Sequence, residues 1–99
     1  MEISTLDNVA TITGNIKTVN DFQEIKQSLD ALSARQKNIT INITESLSIT
    51  SSVIGYFNKL VLKDQIVIEM NIGNKQLLEL FDELNLSAIF KVNEVLDDN

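Results

Sequence analysis

The sequence predicts an α/β fold, a mixed sheet of about five strands packed with about three helices in the order β-β-α-β-α-β-α-β. Two patterns carry this. Stretches alternating apolar and polar residues, NITINIT at 38–44 above all, have the period of a strand with one buried face. Between them lie stretches with apolar residues three and four apart, the spacing of a helix lying on a sheet. Strands separated by helices imply right-handed crossovers and parallel neighbours.

Residues 1–5 and 9–13 form two short strands around a Leu-Asp-Asn turn, whose Asp and Asn side chains suit a turn by bonding the local backbone. Gly14-Asn15 breaks the second strand. Over 21–35, Phe22, Ile25, Leu29 and Leu32 mark a helix face. Asn20 with Gln23 can cap its start as a capping box, and Thr18 is the alternative cap. In 38–44, Ile39, Ile41 and Ile43 point one way and Thr40, Asn42 and Thr44 the other. The alternation runs on to Leu47 and Ile49, so the chain is expected to stay extended past a bend at Glu45-Ser46. A second helix covers 51–62, with Ile54, Phe57 and Val61 inward. A strand at 65–70, a loop at 71–74 and a helix at 75–84 follow, the helix burying Leu77, Leu78, Phe81 and Leu84. Asn85 suits a left-handed helix ending, and a last strand includes 90–92.

Ninety-nine residues without proline, repeat or low-complexity linker describe one domain, 1–99, of which 95–99 read as an acidic, solvated tail. The net charge is −6; residues 79–99 hold six acids and one base, a net −5, which leaves −1 for the first 78. No cluster of Lys and Arg offers itself to phosphate backbones, so nucleic-acid binding is not expected. No helical pattern reaches membrane-spanning length, and the N-terminus lacks the basic start and apolar core of a signal peptide. A cytoplasmic protein with no direct membrane insertion is expected.

The chain has neither histidine nor cysteine. This removes the usual general base near neutral pH, the common nucleophilic pairs and most zinc sites. The acids scatter over helix faces, Asp82-Glu83 included. No catalytic residue, metal ligand or cofactor site is expected, and a small enzyme or ligand-binding domain is the least favoured function.

The stretch ITSSVIGYF, 49–57, places two serines where a helix begins. Thr50 suits the N-cap, accepting a bond from a free amide of the first turn. Ser51 and Ser52 then occupy that turn, where hydroxyls are tolerated and face water. A helix N-terminus also stabilises negative charge, so a phosphate on Ser51 would alter the surface without unfolding the domain. Bland roles suffice elsewhere: packing for Tyr56, Met70 and Gly55, the last by close approach of helix to strand, and a backbone turn for Gly73.

TGNI at 13–16, ITSSVIG at 49–55 and LFDELNLSAIF at 80–90 resemble, in order and placement, the T-G-E-L turn, the D-S-S-G-L-G signature and the late G-L-x-x-[IL]-F stretch of STAS domains. These are the domains of anti-sigma factor antagonists and sulfate transporters, and the resemblance covers residues 1–95. In the antagonist branch an anti-sigma factor that is also a serine kinase phosphorylates the first serine of the signature. By position the resemblance implies Ser51 as phospho-acceptor, with Ser52 the alternative. It implies a docking surface of Asn15, Thr50, Ser52, Val53 and Ile54. The partner would be a kinase-like ATPase bringing its own nucleotide and magnesium, and the function partner switching in transcription regulation. The alternative is an unmodified adaptor subunit on the ATPase of a lipid-transporting ABC complex, with Val53 and Ile54 as apolar contacts. Thr50 and Val53 replace the family's aspartate and glycine, Asn42 another frequent aspartate, and Asn85 a glycine. The long closing helix that many members carry is not expected after the last strand. On this resemblance the departures imply a divergent member.

Overall fold

Leu6 and Val9 face each other across Asp7 and Asn8, and this two-residue turn makes an antiparallel pair of β1 (Glu2–Leu6) and β2 (Val9–Thr13). Asp7 adopts φ 55°, a left-handed conformation that Asp tolerates better than most residues. In the computed structural model, which describes residues 1–95, β2 then pairs in parallel with β3 (Asn38–Ile43). Next come β4 (Val67–Ile72) and β5 (Val92–Glu94), also parallel. The five strands lie in sequence order. The mixed sheet and the order of elements match the sequence expectation.

Each parallel crossover holds one helix: α1 (Val19–Ser33), α2 (Ser51–Leu62) and α3 (Lys75–Glu83). Sequential right-handed crossovers place all three on one face. The register shows the consequence. One row across the sheet reads Thr5, Ala10, Ile41, Met70, Val92, and its three central residues are fully buried. The adjacent row, facing the other way, reads Ser4, Thr11, Asn42, Asn71, Asn93. There Asn71 Nδ2 donates to Asn42 Oδ1 at 2.8 Å and Asn93 Nδ2 to Asn71 Oδ1 at 3.4 Å. Apolar and amide rows on opposite faces fix the register, because a one-residue slip would exchange them.

Beneath the helices, Phe90 meets Phe57 and Phe81 edge to face, at ring-centre separations of 5.9 and 6.0 Å, the arrangement favoured by aromatic quadrupoles. The end of α3 is a Schellman motif, in which the Asn85 amide donates to the Asp82 carbonyl and the Leu86 amide to the Phe81 carbonyl. Asn85 holds φ 59° there, the left-handed ending read from the sequence. Among the described residues, no helix is long and apolar enough to cross a membrane.

Several details differ from expectation. Thr18, not Asn20, caps α1: its hydroxyl accepts from the Asp21 amide while the Asp21 carboxylate accepts from the Thr18 amide. Asp closes this box where Gln23 was expected. The buried stripe of α2 is Val53, Tyr56, Phe57 and Leu60, with Ile54 and Val61 only partly buried. In α3, Leu84 lies outside the helix and is 48 % exposed. The strand expected at 65–70 is β4 at Val67–Ile72, and that expected at 90–92 is β5 at Val92–Glu94. Phe90 instead turns into the core. Of the acidic tail, residues 96–99 lie outside the described residues.

The glycines trade roles. A Cβ on Gly55 would meet nothing within 4 Å, so no close approach requires it. A Cβ on Gly73 would sit 2.8 Å from the Thr44 carbonyl oxygen, so close approach rather than turn geometry selects glycine there.

Candidate functional site

Because β2, β3 and β4 run parallel, the loops leaving their C-terminal ends share one rim of the sheet, and α1, α2 and α3 all begin there. Loops held on a rigid scaffold are where binding residues concentrate. Each helix start is closed by a side chain: Thr18 for α1, Thr50 Oγ1 accepting from the Val53 amide at 3.3 Å for α2, and Asn74 Oδ1 accepting from the Leu77 amide at 3.1 Å for α3. No acid sits in the first turn of α2 or α3, so their amide dipoles face outward without internal compensation.

The loops before α1 and α2 are stapled together. Ser46 is fully buried; its hydroxyl donates to the Ser48 carbonyl at 2.6 Å and accepts from the Ile16 amide at 3.0 Å. Ser48 Oγ returns a bond to the Ile16 carbonyl at 3.1 Å, and Asn15 Oδ1 accepts from the Leu47 amide at 2.9 Å. Gly14 donates its amide to Glu45 Oε1 at 3.3 Å. These bonds spend the polar groups of 45–48 on the neighbouring loop. That is why the strand alternation through Leu47 and Ile49 does not become a strand. On the other side, the Gly73 amide donates to the Ile43 carbonyl at 2.9 Å, pressing the loop before α3 against the end of β3.

On this braced rim Ser51 and Ser52 are exposed in the first turn of α2. Thr50 and Asn15 are partly buried, each with its side chain already bonded, and Ile54 is partly buried against the core. Five of the six residues singled out in the sequence thus reach this surface. Val53 does not. It is 0 % exposed and belongs to the core, because the helix turns it toward the sheet one turn ahead of Phe57. Buried there, Val53 offers a partner no contact. Sequence reasoning missed Glu45, Ser46, Leu47 and Ser48; two serines flanking a leucine just beyond a strand were the available signal for side chains that bond loops.

Two carboxylates elsewhere have displaced acidity. The bond from the Lys17 amide, helped by those from Thr18 and opposed by burial, holds the Asp21 carboxyl below its ordinary range. Burial pushes Asp30 up, but bonds from Lys26 and Tyr56 and the charges of Lys26 and Lys59 outweigh it, and Asp30 also lies low. Burial, then the bond to Asp30 and its charge, push the Tyr56 phenol up. Tyr56 is packed between Lys26 and Lys59, whose ammonium groups stand 5.9 and 5.8 Å from the ring centre. Among the described residues, no three His, Cys, Asp or Glu side chains gather to hold a metal ion.

No protein-family model matches the chain, and neither a curated protein nor a solved structure matches it.

Proposed function

We propose that this chain is a non-enzymatic, cytoplasmic interaction domain resembling the STAS domains of anti-sigma factor antagonists. It docks a kinase-like ATPase on the rim and is switched by phosphorylation of Ser51. The observation that carries the proposal is an exposed Ser51 hydroxyl at the uncompensated start of α2, on loops braced by side-chain bonds. A phosphate there adds nearly two negative charges at pH 7 beside free helix amides, so the fold tolerates it while the docking surface becomes more negative. The partner supplies nucleotide, magnesium and base, consistent with a chain lacking His and Cys. Protein isolated from its own host should carry phosphate on Ser51. Ser51→Asp should fail to retain the ATPase that the unmodified chain retains. Unmodified Ser51 together with full retention by Ser51→Asp overturns the switch.

A second function, an unmodified adaptor on an ABC-type ATPase, is favoured by Leu47, which is 48 % exposed on the same rim. There Ser51→Ala and Ser51→Asp are both mild and Leu47→Asp releases the ATPase. Val53→Asp cannot serve as this test, since it places a charge in the core.

A further inference from the structure

We draw no further inference here: the strongest candidate, the groove of about 260 Å³ between α3 and the outer edge of β5, walled by Glu79 and Asp82 with Leu78 and Val92 beside them, has nothing in the structure to show what covers it.

Discussion

The Tyr56 hydroxyl donates to Asp30 Oδ1 at 2.5 Å and so ties α2, which carries the candidate serines, to α1. The same carboxylate takes Lys26 Nζ on its other oxygen at 2.9 Å. The ring is edge-on to Phe22 at 6.4 Å, so Tyr56→Phe keeps the packing and removes only the polar bond. Asp30 is 44 % exposed and water can replace the lost donor. The cost should therefore fall at the low end for a bond to a charged group, about 1.5 kcal/mol. At roughly 4–8 °C per kcal/mol for a domain of this size, thermal melts should show a clear drop in Tm. An unchanged Tm would mean that the bond contributes nothing net.

Acid should weaken the fold through Asp21 and Asp30. Both carboxylates have folded pKa values below the unfolded value of about 3.9. Their stabilisation is present above that unfolded value and is lost as pH falls through the folded ones. Tm should be flat near neutrality and fall below about pH 4. Asp21→Asn should lower Tm at neutral pH and flatten the acid limb. A variant with an undiminished acid limb would remove Asp21 from the explanation.

Gly55 and Gly73 should respond to alanine with opposite signs. Gly55 is exposed in α2 with open space around its missing Cβ. Gly55→Ala should therefore stabilise by about 1 kcal/mol, the helix-interior difference between the two residues. At Gly73 the added carbon meets backbone 2.8 Å away at Thr44, and Gly73→Ala should cost about 1–3 kcal/mol as overpacking. Chemical denaturation of the two variants tests both together. Equal effects would mean that the contact at Thr44 relaxes freely.

The contrast between these glycines shows what the sequence could disclose. Local chemistry was legible: the alternation of Ile39, Ile41 and Ile43, the Thr50 cap and the left-handed Asn85 all follow from neighbours in the chain. Contacts between distant segments were not. Gly73 is fixed by Thr44, Ser46 by Ile16, and Asp30 by Tyr56, pairings made only when crossovers bring loops and helices together. Within the candidate site, Ser51 and Ser52 were found because a helix start is a local signal. Val53 was misplaced because the resemblance put it on the surface, although it stands one helical turn before the inward Phe57.

Ser46→Ala tests whether the rim is braced as described. The substitution strips a buried hydroxyl from between the Ile16 amide and the Ser48 carbonyl, and unpaired buried groups cost about 1–3 kcal/mol. Loss of the brace should also speed hydrogen exchange at the amides of Ile16 and Leu47, with the centre of β3 little changed at matched stability. Uniform acceleration across the chain would instead mean global destabilisation and no separate rim.

Ser51→Asp should leave the isolated domain as stable as before, or slightly more so. A carboxylate in the first turn of α2 meets the positive end of the helix dipole, worth about 0.3–1 kcal/mol at an exposed position. It displaces nothing, because Ser51 is exposed and the amide of Val53 is already bonded by Thr50. Ser51→Lys, of opposite charge at the same place, should lower Tm by a comparable amount. Both shifts should shrink at high salt, since the charges are exposed and screened. If Ser51→Asp instead loses several degrees, this helix start cannot carry a phosphate without damage to the fold. The switch would then be untenable on physical grounds alone, before any partner is tested.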